Sequence, residues 1–365
     1  MPSPTVAFLL HAPSGGGAQR RTIRLASALA GRGMAASLLF IARDGPLADQ
    51  IPAGLPVTVL GAPPVPRGWQ CGAAVPALAR HLRADPPAVL VAAANHVHLT
   101  ALAAHALAGR PCRLVIRASN HLVGGGRGRP VRDWLRRRAA RLYEHADLVV
   151  AVSEEIAHQT RALAPSAPVV RLPNPVVDDS FPARMAQPVK HPWLPPRQTP
   201  VILGVGRLDR QKDFPTLLRA AARIGARVIL LGDGPERTHL EQLGRALGIQ
   251  VDLPGFVPDP LPWMAQCGAF CVSSAWEGMP GALIEAMACG APVVATACPG
   301  GTVEAVEGGR LAPLVPVGDD AVMAAALAAV LRRPPDPAAL KRKAAEHSVA
   351  ASAEAWAAAL GRLAP

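Results

Sequence analysis

The strongest constraint on the fold is an alternation of short apolar runs with segments of helical period, joined through turns rich in glycine or polar residues. Runs at 5–11, 35–42, 56–60, 88–93, 113–118 and 148–152 are separated by stretches such as 71–83 and 131–145, whose apolar residues recur at helical spacing. A second series begins at Val201 and continues through 228–234, 251–257, 270–274 and 292–296. Strands this apolar, each followed by a helix, predict parallel sheets covered on both faces, an α/β chain. The chain has 365 residues, half of them apolar, which exceeds the size at which one core stops growing, so two domains are expected.

In parallel sheets ligands bind beyond the carboxyl ends of the strands. One such place is 273–296, Ser-Ser-Ala-Trp-Glu-Gly-Met-Pro-Gly-Ala-Leu-Ile-Glu-Ala-Met-Ala-Cys-Gly-Ala-Pro-Val-Val-Ala-Thr. It reads as a loop, a helix beginning near Pro280 and stopping at Gly290, and a buried strand. Glu277 precedes the first turn, and Glu285 lies inside the helix among Ile284, Met287 and Ala288, where packing alone would not place a carboxylate. The N–H groups of Gly281 and Ala282 leave the same end and favour an anion. Acceptors for hydroxyls and donors for phosphate together suit a nucleotide sugar. The eight-residue spacing is weak by itself, since Glu346 and Glu354 repeat it in an alanine-rich helix that reads as a solvated face.

The strand at 5–11 runs into Pro-Ser-Gly-Gly-Gly, with Gly15, Gly16 and Gly17 opening a helix, a pattern suited to phosphate. It matches neither a dinucleotide fingerprint nor a P-loop, which counts against NAD and ATP. In Val-Ile-Leu-Gly-Val-Gly-Arg-Leu-Asp-Arg-Gln-Lys-Asp-Phe, at 201–214, Arg207 and Lys212 fall on a turn where a guanidinium and an ammonium can both reach a diphosphate. His121, after the strand Leu-Val-Ile-Arg-Ala, and His98 are the candidate histidines of the first rim, alongside Ser119 and Ser153.

The run from Glu277 to Thr296, with the Gly-Arg-x-x-x-x-Lys pattern at 206–212 and the glycine loop at 15–17, closely resembles the retaining glycosyltransferases of family 4 (glycosyl transferases group 1). That resemblance implies the GT-B fold: two Rossmann-like domains facing each other across a cleft, with a last helix crossing back to the first. The expected division is 1–182 for an acceptor-binding domain, a proline-rich linker at 183–200, 201–345 for a nucleotide-sugar-binding domain, and a returning helix within 346–365. It further implies a metal-free transfer with retention and no cofactor beyond the donor, UDP-hexose or UDP-N-acetylhexosamine being favoured by Pro-Gly-Gly-Thr-Val-Glu at 299–304. The implied catalytic set is Glu277, His121, Arg207 and Lys212. The implied donor contacts add Gly15, Gly16, Gly17, Gly232, Gly255, Phe256, Val257, Met279, Pro280, Gly281, Ala282 and Glu285, with Glu285 on the ribose, Glu277 on the sugar, and backbone near Gly255 on the base. The Pro-Asn-Pro at 173–175 resembles the family's Pro-Asn motif but carries Pro175 where glycine is usual. GDP-mannose as donor, a soluble small-molecule acceptor and a catalytically inactive scaffold remain as alternatives.

Charge is unevenly spread. Residues 1–185 carry 21 basic and 10 acidic side chains, whereas 186–365 carry 17 and 16, so the formal +12 lies almost wholly in the first half. Such asymmetry predicts an anionic partner surface on one domain. Nucleic acid is disfavoured, because Phe, Trp and Tyr are scarce and no basic stretch is interleaved with aromatics. Seven arginines fall within 127–141; Val131, Leu135, Ala139 and Leu142 form an apolar stripe at helical spacing, and Arg132, Arg136, Arg137 and Arg141 lie outside it. With the lipid-linked or glycan acceptors implied by the resemblance, this predicts a peripheral protein on the inner face of the cytoplasmic membrane. The first 17 residues lack a signal-peptide pattern, and histidines interrupt the apolar stretch 88–109, which reads as a strand and a helix. The six cysteines have neither zinc-ligand spacing nor a disulfide framework, so reduced thiols and no metal are expected.

Overall fold

In the computed structural model, residues 5–13, 16–45, 47–63, 65–121, 130–196 and 198–363 are described, except for the side chains of Gln50 and of 130–133. The chain divides into two compact units, one of 1–175 with 349–365 and the other of 176–348. Each is built on one all-parallel sheet with helices in the crossovers.

The first sheet holds β1 (Thr5–Leu10), β2 (Ala35–Phe40), β3 (Val57–Val59), β4 (Val89–Ala92), β5 (Arg113–Ala118), β6 (Leu148–Ala151) and β7 (Val169–Arg171) in the order β3-β2-β1-β4-β5-β6-β7. Apart from Thr5, β1 is fully buried, as a central parallel strand must be, and its register runs from Thr5 opposite Ala35 to Leu10 opposite Phe40. The stretch 88–109 resolves into β4 and the helix His98–Leu107. Among the described residues no helix is long and apolar enough to cross a membrane. The last helix, Val349–Gly361, packs on the helix Gly17–Ala30 of the same unit, and Trp356, 1% exposed, sits with its ring 6.3 Å from Phe8.

The second sheet holds β8 (Val201–Val205), β9 (Arg227–Leu231), β10 (Val251–Gly255), β11 (Ala269–Val272), β12 (Val293–Thr296) and β13 (Leu314–Val315) in the order β10-β9-β8-β11-β12-β13. Its core gathers Phe214, Leu217 and Leu218 of the helix Phe214–Arg223 with Leu230, Val294, Met323 and Leu327. The helix Gly281–Cys289 starts after Pro280 and ends at Gly290, whose φ of 74° is the left-handed conformation that closes a helix.

Two expectations need correction. The proline-rich stretch 183–200 does not separate the units, because the division falls after Pro175 and the stretch lies within the second unit. There Arg184, in the helix Phe181–Met185, grips both oxygens of Asp259 at 2.8 Å, and His191 reaches Asp252 at 2.9 Å. Paired polar groups fasten this segment despite its lack of apolar periodicity. The apolar stripe read on the helix Pro130–Arg141 is also not one buried face: Leu135 is 54% exposed and Leu142 42% exposed. The face turned inward carries Arg136, Ala139, Ala140 and Tyr143, at helical spacing, because alanines permit close approach and the Tyr143 hydroxyl has a buried partner in His98.

Candidate functional site

In the second unit the strand ends converge on one pair of side chains. Lys212, in the turn after β8, meets Glu277, in the loop after β11, with Nζ 2.5 Å from Oε1. The same oxygen accepts from the Ser274 hydroxyl at 2.7 Å. Glu277 is 6% exposed, and a charge so buried persists only when paired and hydrogen-bonded. Its other oxygen, Oε2, has no hydrogen-bond partner among the described residues and remains an acceptor for a ligand. The pair, with Ser273, Pro280 and Ala282, lines a cavity of about 10 Å³, room for one water.

Backbone contacts fix both loops. The Ser273 hydroxyl donates to the Lys212 carbonyl at 2.7 Å, Gln211 Nε2 to the Trp276 carbonyl at 3.0 Å, and Ala275 N to the Gln211 carbonyl at 2.8 Å. Thr296, at the end of β12, donates to the Ser274 carbonyl at 2.6 Å. Gly206 lets the lysine stem lie flat on the backbone, since a Cβ there would sit 2.7 Å from Lys212 Cε. Gly300, with φ of 119°, does the same for the other loop, where a Cβ would fall 1.9 Å from the Glu277 carbonyl oxygen.

The remaining residues predicted for this side take distinct places. Arg207 reaches solvent from the same turn, its side chain 69% exposed and its Nε 3.8 Å from Asp209. Gly206 N donates to Leu231 O and Gly232 N to Gly255 O, so the ends of β8, β9 and β10 form one continuous rim with Phe256 exposed and Val257 half-buried beside it. Met279, Pro280 and Gly281 are buried at the start of the helix, whereas Ala282 and Glu285 are half-buried. The Glu285 carboxylate acts on Arg184, whose guanidinium is held above its ordinary range chiefly by its hydrogen bonds to Asp259 and also by this charge. Ser274, Gly300 and Arg184 carry no sequence signal of their own. Only the glycines and serines beside the Glu277 stretch point to the first two.

The rim of the first unit is assembled differently. Gly15 lies outside the described residues, while Gly16 and Gly17 begin the first helix with exposed backbone. His121 accepts at Nδ1 from Gln159 at 3.0 Å, which leaves the proton on Nε2, 3.9 Å from Glu155. His98 is not a rim residue. It is 1% exposed, its Nε2 donates to the Arg117 carbonyl at 3.0 Å, and its Nδ1 accepts from Tyr143 at 2.6 Å. Burial pushes its pKa down to about 3, so it is a neutral core histidine. Arg117, also buried, donates to Thr22 at 3.0 Å and Asn174 at 2.7 Å, tying the first helix to the Pro-Asn-Pro segment; burial, then the nearby Arg21, lower its pKa to about 9. Of the predicted basic group, Arg137 and Arg141 are exposed, as is Arg138 over the Trp134 ring at 5.0 Å. Arg136 instead is half-buried and lines a pocket with His121, and the side chain of Arg132 lies outside the described set. Among the described residues no group of three or more His, Cys, Asp or Glu could hold a metal ion.

Comparison with known proteins completes the assignment. Residues 15–180 match the family described as Glycosyltransferase Family 4, and residues 199–333 match Glycosyl transferases group 1. The lipopolysaccharide core biosynthesis glycosyltransferase LpsE of Rhizobium meliloti (strain 1021) is 38% identical over 104 residues, 28% of this chain and 31% of that protein. The N-acetylgalactosamine-N,N'-diacetylbacillosaminyl-diphospho-undecaprenol 4-alpha-N-acetylgalactosaminyltransferase of Campylobacter jejuni is 39% identical over 99 residues, 26% of this chain and 27% of that protein. These alignments thus span about a third or less of the relatives' own lengths. The crystal structure of Anabaena HepE in complex with UDP and glucose superposes with a TM-score of 0.81 at 22% identity, over 98% of this chain and 100% of that one. Family matches on both units, laid over two all-parallel sheets, show that the chain belongs to the group 1, family 4 glycosyltransferases and has their GT-B fold.

Proposed function

We propose that the chain transfers a hexosyl or N-acetylhexosaminyl group from a UDP-sugar to a lipid-linked or cell-surface glycan acceptor, with retention of configuration and without a metal. The observation that carries this reading is the Glu277 carboxylate, buried, held on one oxygen by Lys212 and Ser274, and left with the other oxygen to accept from a sugar hydroxyl. Lys212 has further N–H donors for the leaving diphosphate, and Arg207 adds an exposed second cation from the same turn. Such donors act where negative charge develops, and stabilising that charge supplies much of the rate enhancement in many enzymes. Glu285 takes the ribose, backbone near Gly255 to Val257 takes the base with Gly232 beside it, and Gly16 and Gly17 offer N–H groups from the first unit. His121 serves the transfer from the rim of that unit.

Retention follows from a front-face attack, in which the departing phosphate oxygen takes the acceptor's proton as the new glycosidic bond forms. A double-displacement route needs a carboxylate nucleophile about 5 Å from its acid partner. Among the described residues, the rim motifs of the first unit, 95–98, 119–121 and Ser153, contain no carboxylate. Support for the acceptor class comes from the relatives, named for lipopolysaccharide core and diphospho-undecaprenol substrates. The exposed Arg137, Arg138 and Arg141, beside exposed Trp134 and Leu135, suit the surface of an anionic membrane.

The test is a panel of nucleotide sugars, assayed for slow hydrolysis and for thermal shift, then for transfer to lipid-linked acceptors. UDP release should persist in EDTA. A protein that binds no nucleotide sugar, or one whose activity vanishes on chelation and returns with Mg²⁺, contradicts the proposal.

A further inference from the structure

The two turns that carry Lys212 and Glu277 have a second side. Their sequence neighbours Gln211 and Trp276, with Asp209, Arg210, Pro235 and Glu236, line a hollow of about 420 Å³, a volume within the range of small-molecule sites. It shares no lining residue with the cavity of the ion pair. Backbone bonds tie its walls together: Leu208 N donates to Asp233 O and Glu236 N to Leu208 O, each at 3.0 Å, and Ala275 N to Gln211 O at 2.8 Å. Gly234 makes this approach possible, since a Cβ there would sit 2.3 Å from the Leu208 carbonyl oxygen. The walls are thus fixed by the fold itself.

The polar groups of the hollow are only partly used by that fold. The Glu236 side chain, 22% exposed, makes no hydrogen bond among the described residues, and its ion pair to the 92% exposed Arg210 spans 3.7 Å. Asp209 Oδ1 accepts from Gln211 N at 3.1 Å, while Oδ2 is 3.8 Å from Arg207, beyond a hydrogen bond. Gln211 Nε2 donates to the Trp276 carbonyl at 3.0 Å, which leaves Oε1 as an acceptor, and the Trp276 indole N–H has no partner among the described residues. The hollow therefore offers acceptors and donors together, with apolar surface from Trp276 and Pro235. A phosphate would meet two carboxylates here, and a hydrocarbon would cover them without a hydrogen bond. A pyranose ring suits both features, because its C–H groups pack on an indole while its hydroxyls donate to carboxylates and accept from N–H groups.

We infer that this hollow binds one neutral pyranose ring of the glycan acceptor, with Trp276 as its platform and Glu236 and Gln211 accepting from its hydroxyls. The inference rests on the transferase reading and adds an acceptor contact on the second unit, beside the residues assigned to the nucleotide sugar.

The experiment is saturation-transfer NMR on the full chain, in excess UDP, with methyl glycosides of glucose, galactose, mannose and N-acetylglucosamine; UDP binding is measured separately by calorimetry. At least one glycoside should bind. Trp276→Ala and Glu236→Ala should each weaken it about tenfold or more, the loss expected of a residue that carries much of the affinity. Trp276→Phe should recover part of the binding, and Glu277→Gln should leave it unchanged. Where Trp276→Ala disturbs UDP binding, Glu236→Ala, on a different turn from Glu277, decides. Binding that survives in Glu236→Ala overturns the inference, as does binding lost in Glu277→Gln, which puts the sugar at the donor carboxylate. Displacement by uridine, or tighter binding of methyl phosphate, overturns it as well. A wild type that binds UDP and no glycoside overturns it alone, whereas failure to bind UDP brings down the transferase reading itself.

Discussion

The two units place polar chemistry on their sheets in opposite ways. In the second, the turns after β8 and β11 are bonded to each other backbone to backbone, and a single ion pair, Lys212 with Glu277, joins their side chains. In the first, the rim is held by separate local devices: Asn95 fixes Ser119, Gln159 fixes His121, and beneath them His98 and Arg117 are buried without a carboxylate partner among the described residues. One unit thus buries a compensated charge at its candidate site. The other depends on keeping a histidine neutral in its core. The first arrangement is sensitive to side-chain removal, the second to acid.

Lys212→Ala tests the compensated charge most severely. It should lower kcat/KM by about 10²-fold or more, because one donor to developing charge in a closed site is worth roughly 3 kcal/mol. It also strands the buried Glu277, so a fall in Tm should accompany it. Steady-state kinetics near wild type would remove Lys212 from the diphosphate. Gly300→Ala should come next, since its Cβ would drive into the Glu277 carbonyl and the left-handed backbone strains any other residue, by about 1–3 kcal/mol. Activity should drop by about tenfold or more with the sheet retained by circular dichroism; unchanged turnover would show that the loop yields without moving Glu277.

The neutral core histidine is tested by pH. His98 ionises near 6.5 when unfolded but near 3 when folded, so the unfolded chain binds the extra proton between those values. Stability from this group is complete above pH 6.5 and falls as pH drops toward 3, by about 1.4 kcal/mol per pH unit. His96, pushed down to about 4 by burial and then by Arg67, adds in the same direction. His98→Gln preserves one donor and one acceptor but cannot titrate, so its Tm should be lower at pH 7 and flatter between pH 6.5 and 4. A Tm profile parallel to the wild type would rule out this source of acid sensitivity.

The effect most readily screened by salt concerns the outward arginines. Sedimentation with anionic vesicles should weaken steeply from low to high salt, and Arg137→Ser, Arg138→Ser and Arg141→Ser together should remove about 1 kcal/mol of binding per charge. Equal sedimentation of wild type and triple variant would favour an acceptor that is not membrane-borne.

The second unit was largely legible from the chain because its chemistry is local. The glutamate stretch, the Gly-Arg-x-x-x-x-Lys turn and the capping glycine each act within a few residues, and a strand end brings them to the rim wherever the sheet goes. The first unit was legible as a fold and much less so as a site. Nothing in Leu-Val-Ile-Arg-Ala marks Arg117 as the buried link between Thr22 and Asn174, partners 95 and 57 residues away. Likewise the hydrophobic stripe on the arginine-rich helix pointed to Leu135 and Leu142, and the fold buried Ala140 and Tyr143 in their place.

What the sequence alone determined is the alternation of strand and helix, hence two parallel sheets, and the identity of the groups at the Glu277 turn, because period and motif are properties of neighbours along the chain. Tertiary structure decided that His98 is core and His121 rim, that Arg136 turns in while Arg137 and Arg141 turn out, and that 183–200 is part of a domain. Each of those outcomes depends on which distant groups can satisfy a buried donor or charge, and hydrogen-bond partners 45 residues apart, as His98 and Tyr143 are, exist only once the chain has folded.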